Sequence, residues 1–242
     1  MGALGRDQQR AVGDFFDRHA SSYRGRPGGM QQLHAVTALR IESQLSGFVL
    51  SVGGLWPQAT GPGRARSVAI CDLSLAMLRS WRALTTLAVQ GDARGLPFAD
   101  GAFDHVVLPL VLHHVAGRTA DEARHLTILV VREAARVLRR GGLVWICEIC
   151  PSPRGYRWER RLVPLTRRLL GWVGQPLVVL HSAEFYLSIL DRDQWAETGA
   201  VPIRAEGAGP WDLVQPVIAL PWLRIPRFTF PVQPVLVTAR RR

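Results

Sequence analysis

"FVLSVGGLWPQATGPG", residues 48–63, opens with an apolar run and then turns through two glycines. A short apolar run closed by glycine reads as a buried strand followed by a tight turn, the way a nucleotide-binding domain begins. The turn then departs from that pattern. Leu55, Trp56 and Pro57 stand where such turns carry glycines and small residues. The stretch is therefore a damaged ligand site, a remodelled one, or a plain strand end, and its surroundings must decide between them.

Downstream, "SVAICD" is a second strand closed by Asp72, and "LSLAMLRSWRAL" has helical spacing with Ser74 as its N-cap. "TTLAVQGD" is a third strand ending at Asp92. "FDHVVLPLVLHHV" is a fourth strand with the loop after it. "TADEARHLTILVVREAARVLRRGG" reads as one long amphipathic helix, capped by Thr119 with Glu122 three residues on and stopped by Gly141 and Gly142. "LVWICEI" is a fifth strand. Strands alternating with helices predict an α/β fold with a Rossmann-like, doubly wound, mostly parallel sheet. Such sheets bind ligands beyond the carboxyl ends of their strands, at the switch point. Ser51 to Gly54, Asp72, Asp92, Leu110 to His114 and Glu148 all fall at those ends.

Upstream, residues 5–22 and 30–46 read as helices separated by "RGRPGG". Beyond Glu148, residues 151–181 are rich in Pro, Arg and Trp. "SAEFYLSIL" and "DRDQWAETGA" read as helices, the second stopping near Gly199, and "PVLVTAR" is a closing, antiparallel strand. The expected organisation is a single domain over 1–242: a helical cap at 1–46, a ligand-binding core at 47–150, a lid insert at 151–190, and a helix with closing strands at 191–242.

The chain has 30 cationic side chains, all Arg, against 19 acids, a formal net charge of +11. Such an excess favours anionic partners. Three cysteines, an odd number, together with the absence of a recognisable leader, point to a reducing, cytoplasmic setting. Cys147 and Cys150 lie three apart on a strand and so face opposite ways, which argues against a redox or metal pair. No metal-ligand spacing stands out.

An acid ending the second strand hydrogen-bonds ribose hydroxyls in doubly wound folds. Asp72 follows Gly53 by 19 residues, close to the spacing of about 20 expected there. "QGDARGLPFADGAFDHVVLPLVLHHV" followed by "REAARVLRRGGLVWICEI" resembles the class I S-adenosylmethionine-dependent methyltransferases. The likeness runs from "FFDRHASSY" to "VLVTARR" and is greatest to the branch with the ubiquinone and menaquinone methyltransferases. The resemblance implies S-adenosylmethionine as cofactor. It implies that Asp72 holds the ribose and Leu73 lines the adenine. Asp92 would accept from the adenine amino group, beside the amide of Ala93. Leu110 would lie near the methionine moiety, and Tyr23 under an N-terminal helix that covers the cofactor. The family turn carries an acid followed by three alternating glycines. Here Ser51 replaces the acid, Gly53 is kept, and Leu55 and Pro57 replace the later glycines. The adenosine half of the site is thus expected intact and the methionine half remodelled. A methyltransferase, a relative using the bound sulfonium for another reaction, and a non-catalytic partner or scaffolding subunit all remain open.

Methyl transfer needs alignment of nucleophile, methyl and sulfur, and a base where the nucleophile carries a proton. His113 and His114 follow the fourth strand and are the candidate bases, His114 slightly favoured. His19, Tyr23 and His181 are candidates to reach over from the two caps, and Glu148 is read as structural. The expected substrate is an apolar or aromatic small molecule methylated at oxygen or carbon. The insert "RGYRWERRLVPLTRRLLGW" interleaves Arg with Trp and Leu and carries one acid, Glu159. It reads as a pocket lid. It also suits an anionic membrane surface or an acidic carrier protein. Pro164 within it predicts two short helices or a kink. No pattern of a nucleic-acid-binding module is present.

Overall fold

The computed structural model describes residues 3–24, 37–38, 40–54, 64–81, 87–115, 117, 119–172, 177–203, 213–214, 225–226 and 232–242. Helix α1 spans Ala3–Arg24. Strand β1 (Ser46–Val52) is followed by β2 (Arg64–Asp72), α2 (Leu75–Trp81), β3 (Leu87–Gln90), β4 (Phe103–Pro109), a single 3-10 turn (Leu112–His114), α3 (Ala120–Val137) and β5 (Leu138–Pro151). Then come α4 (Pro153–Trp172), α5 (Ala183–Ile189), β6 (Trp195–Pro202), a two-stranded ribbon of β7 (Leu213–Val214) and β8 (Ile225–Pro226), and β9 (Val232–Arg241).

Seven strands form one sheet in the order β3-β2-β1-β4-β5-β9-β6. The β1–β2, β1–β4, β2–β3 and β4–β5 pairs are parallel, and β9 runs antiparallel to both β5 and β6. This is the expected mostly parallel sheet with an antiparallel strand near the end. The chain winds outward from β1 to β3, returns, and winds the other way through β4. The switch point therefore lies between β1 and β4, where Ser51 sits level with both Ile70 and Val107.

Strand alternation sorts the core onto two faces. Leu50, Ala69, Val106, Leu108, Val144 and Ile146 join one buried cluster with α3. Val49, Val68, Ile70, Val107 and Trp145 join another with Ile41, Leu45 and Leu78. A strand buried on both faces must be apolar throughout, which is why these read as continuous hydrophobic runs. Cys150 belongs to the first cluster and Cys147 to the second, so the two buried side chains face opposite ways, as the strand reading required.

Helix α3 starts as the sequence predicts: the Thr119 hydroxyl accepts the Glu122 N–H at 3.1 Å. Its buried positions Ala123, Leu126, Thr127, Val130, Val131 and Ala134 repeat at helical spacing. Thr119→Ala should cost about 1 kcal/mol, read as a fall in the melting temperature of about 2–4 °C. Ser74 caps α2 as expected, its hydroxyl accepting the Met77 N–H.

Two expectations are corrected. Helix α3 ends at Val137, short of the two glycines. Leu138 turns extended, pairs with Phe103 and is fully buried, so "LRRGG" joins β5, with Gly141 at φ +79°. The helix expected over "DRDQWAETGA" is strand β6. One turn forms, with Trp195 N–H donating to Asp191 O and Gln194 N–H to the Asp191 carboxylate. The chain then pairs with β9 from Trp195 opposite Arg241 to Pro202 opposite Val235. A bulge between Ala196 and Gly199, with Glu197 at φ +51°, resets the register. Ladder pairing and burial of Trp195 outweigh the helical preference of Ala and Glu. Insert residues Pro153–Trp172 form one helix that passes through Pro164. Among the described residues, no helix is long and apolar enough to cross a membrane.

Candidate functional site

The carboxyl ends of β1, β2 and β4 meet beneath α1. The β1 turn is held from inside. The Ser51 hydroxyl, buried, donates to Gly54 O, and the Gly53 N–H donates to Cys71 O at 2.8 Å. Gly53 adopts φ +76°, and a Cβ there would overlap the Val111 side chain. Both the dihedral and the close approach of the post-β4 loop require glycine. Leu55 and Pro57 lie outside the described residues.

Asp72 ends β2, is 9% exposed, and accepts the Ser74 N–H at 2.8 Å. Burial pushes its carboxyl up to about 6, with Asp17 adding to the rise and the Ser74 N–H opposing it. Leu73 follows, its carbonyl accepting the Gln90 amide at 2.9 Å. Asp92, two residues past β3, is enclosed by Arg94. Its Oδ1 accepts the Arg94 N–H (2.9 Å) and Nε (3.0 Å), while Oδ2 accepts Nε (3.0 Å) and Nη2 (2.5 Å). Ala93 is buried in the first core cluster. This loop is clamped from α3. Arg136 donates to Leu96 O, Phe98 O and Asp100, and pairs with Glu133, whose Oε2 accepts the Leu96 N–H.

Leu110 follows β4 at φ +55°, a strained conformation for a large side chain. Its N–H donates to Cys147 O at 2.8 Å and its side chain is buried in the second cluster, so the surroundings hold it there. Next, fully buried Glu148 reaches across from β5. Its Oε1 accepts the Leu112 N–H at 2.6 Å and its Oε2 lies 2.7 Å from His113 Nδ1. A carboxylate only accepts, so Nδ1 carries the proton and Nε2 is left as the acceptor. The His114 ring lies against that of His113, centroids 4.2 Å apart and planes tilted by 48°. Its Nδ1 is buried without a hydrogen-bond partner among the described residues, and burial pushes it well below the usual histidine range.

Helix α1 crosses this crevice. The Asp17 carboxylate accepts the Ser74 hydroxyl (2.6 Å) and the Ala76 N–H (2.9 Å). Gly13 packs on Leu73, and Phe16 meets the His114 ring edge-on at 4.9 Å. His19 bonds back to Phe15 O and stacks on Phe15. Tyr23 belongs to the last turn of α1, but its side chain lies outside the described residues. His181, fully buried, sits behind the site with Nε2 3.2 Å from the Thr127 hydroxyl, and burial pushes it down to about 3.

The fold thus brings Ser51, Gly53, Asp72, Leu73 and Leu110 to the switch point with His113 and His114, while His181 is engaged by the Thr127 hydroxyl of α3. Sequence reading missed Asp17, Arg94 and the Glu133–Arg136 clamp. The last was signalled by an acid and an Arg three apart on a helix; Asp17 carried no local signal, because its partners are 57 and 59 residues away.

Residues 51–146 match the family model described as a methyltransferase domain. A demethylmenaquinone methyltransferase of Mycolicibacterium vanbaalenii is 40% identical over 138 residues, 57% of this chain and 56% of that protein. One from Mycobacterium sp. strain KMS is 30% identical over 148 residues, 60% and 57% of the two chains. The chain therefore spans just over half the length of the curated relatives it matches. Geranyl diphosphate C-methyltransferase of Streptomyces coelicolor superposes with a TM-score of 0.57 at 18% identity, over 86% of this chain and 78% of that one. The cyclase SpnF does so with 0.61 at 18%, over 96% of each. These two show a shared fold. Through residues 51–146, which match the methyltransferase domain model, the chain resembles the demethylmenaquinone methyltransferases.

Proposed function

We propose that this chain transfers a methyl group from S-adenosylmethionine to oxygen or carbon of an apolar or aromatic small molecule. The observation that carries the reading is Asp72, a buried carboxylate ending β2 next to the Gly53 turn at the switch point. It accepts backbone N–H groups from Ser74 and Leu73, and the remaining lone pairs of a carboxylate suit two ribose hydroxyls. The residues fit the cofactor at the ribose end. At the methionine end, Ser51 offers no charge to an ammonium group and its hydroxyl is already bonded to Gly54 O.

When bound, the cofactor supplies an electrophilic methyl on a sulfonium. The protein's part is to align the nucleophile and take its proton. His113 is the base in this reading, in preference to His114, because Glu148 fixes its tautomer. Asp92 meets the adenine amino group only when Arg94 turns aside, because four donor contacts already fill its acceptor sites. The names of the relatives support an aromatic, lipophilic substrate, and a cytoplasmic enzyme working peripherally at a membrane fits both that substrate and the basic insert.

Calorimetric titration with S-adenosylhomocysteine is the test. Wild type should bind, and Asp72→Ala should bind at least about tenfold more weakly, since a hydrogen bond to a charged group contributes about 1.5–3 kcal/mol. Absence of wild-type binding removes the proposal. A second reading is a methyltransferase-fold partner or scaffolding subunit, or a cofactor-binding relative with another reaction. It is favoured by the internally satisfied Ser51 and Asp92. Binding without turnover on demethylmenaquinone or other quinones would select the relative, and failure to bind would select the partner.

A further inference from the structure

Helix α4 follows β5 directly and is fastened to the body along one side. The Tyr156 hydroxyl accepts from Arg124 Nη1 of α3 at 2.6 Å. Leu170 packs against the buried cluster of Ala123, Leu177 and Val179. At about 100° per residue, Leu162, Leu165, Leu169 and Trp172 fall on the opposite side. There the three leucines are 43%, 53% and 54% exposed and Trp172 is 89% exposed. Arg157, Arg161 and Arg168 are exposed along one flank of that stripe. Residues 154–172 carry six Arg against the single acid Glu159, in a chain of net charge +11. An outward apolar stripe of this size in a helix anchored on its other side is not a core waiting to close.

We infer that the outer face of α4 docks the protein onto an anionic lipid surface, with Leu165, Leu169 and Trp172 entering the interface and the Arg flank meeting lipid phosphates. Three features select a bilayer. The charges beside the stripe are cationic, complementary to anionic headgroups. Arg can lay its stem along apolar surface while its head reaches the phosphates. The most exposed side chain is a Trp, suited to the headgroup boundary. The inner face of the same helix packs on the cluster that contains Val179, whose N–H donates to His113 O at 3.0 Å. The docked face is therefore one packing layer from the candidate base, a short route for a lipophilic substrate leaving the bilayer. That last clause rests on the methyl-transfer reading; the docking does not.

The experiment is co-sedimentation of the full chain with phosphatidylcholine vesicles and with vesicles in which one third of the lipid is phosphatidylglycerol, at low and high salt. Partitioning onto the anionic vesicles should be at least about tenfold stronger, and most of that preference should vanish at high salt, where screening acts within a few ångström. Arg157→Gln, Arg161→Gln and Arg168→Gln together should abolish the preference. Leu165→Ser with Trp172→Ser should abolish the residual salt-resistant binding. Melting temperature and S-adenosylhomocysteine affinity in solution should stay at wild-type values in both variants, which separates loss of docking from misfolding and from failure of the cofactor reading. Equal partitioning on both vesicle types, or none on either, overturns the inference. So does wild type that ignores vesicles but binds an acidic acyl carrier protein through the same Arg, or that dimerises through the stripe in solution.

Discussion

Glu148→Gln is expected to lower the methyl-transfer rate constant by about 10²–10⁴-fold, the usual contribution of a positioned general base, while the affinity for S-adenosylhomocysteine stays near wild type. The carboxylate takes two donors at once, the Leu112 N–H on Oε1 and His113 Nδ1–H on Oε2. A glutamine amide has one oxygen, so one of the two donors would face an NH2 group. The cheapest relief is for His113 to move its proton from Nδ1 to Nε2, which removes the acceptor that the proposed base needs. Glu148 is thus a positioning residue acting through His113. Nitrogen NMR of the His113 ring should show an Nδ1–H tautomer in wild type and an Nε2–H tautomer in Glu148→Gln, a readout that needs no substrate. His113→Gln should match the rate loss. His114→Phe should retain most of the rate, since the His114 ring sits in apolar contact with Phe16. An unchanged tautomer in Glu148→Gln, or full activity in His113→Gln, would return Glu148 to a purely structural role and the base to another group.

Asp72→Asn is expected to raise the stability of the ligand-free protein at neutral pH by about 3 kcal/mol while weakening the cofactor. Burial holds the Asp72 carboxyl at about 6 in the folded chain against 3.8 when free. The folded state therefore binds its proton more tightly than the unfolded state does. The sign follows: between about pH 4 and pH 6 the native chain holds more protons than the unfolded chain, so this group's contribution to stability falls as the pH rises. The penalty is absent below about pH 4 and complete above about pH 6, and the difference in pKa converts to about 3 kcal/mol. Asparagine keeps an oxygen for the Ser74 N–H and carries no charge beside Asp17. Urea denaturation from pH 4 to pH 8 should show a stability decline in wild type that Asp72→Asn flattens. A wild-type profile without that decline, or an asparagine variant less stable than wild type at pH 7, would remove the assignment of strain to Asp72. A buried charge kept at such a cost is what a ribose-binding carboxylate requires, because ligand hydroxyls replace the water it has lost.

The sequence by itself determined the order of the first five strands, the caps of α2 and α3, and the gathering of Ser51, Gly53, Asp72 and Leu110 at one end of a parallel sheet. Those features are written locally: apolar runs a strand long, a Thr with its partner N–H three residues on, a glycine at a positive φ, an acid at a strand end. Periodicity misread "DRDQWAETGA" because its Ala and Glu favour helix, while its pairing partners, Val235 to Arg241, lie some forty residues away. It overran α3 for the same reason, since only the partner Phe103 and the buried pocket for Leu138 make residue 138 a strand. At the candidate site, local sequence offered two adjacent histidines and slightly favoured His114, the opposite of the ranking proposed from the structure. Only the tertiary structure brings Glu148 from β5 beneath His113 and sets Phe16 of α1 against His114. An apolar strand buried on both faces is written in its neighbours in the chain, whereas an edge strand such as β6 and the roles of a buried carboxylate and a histidine are decided by the distant partners that the fold brings to them.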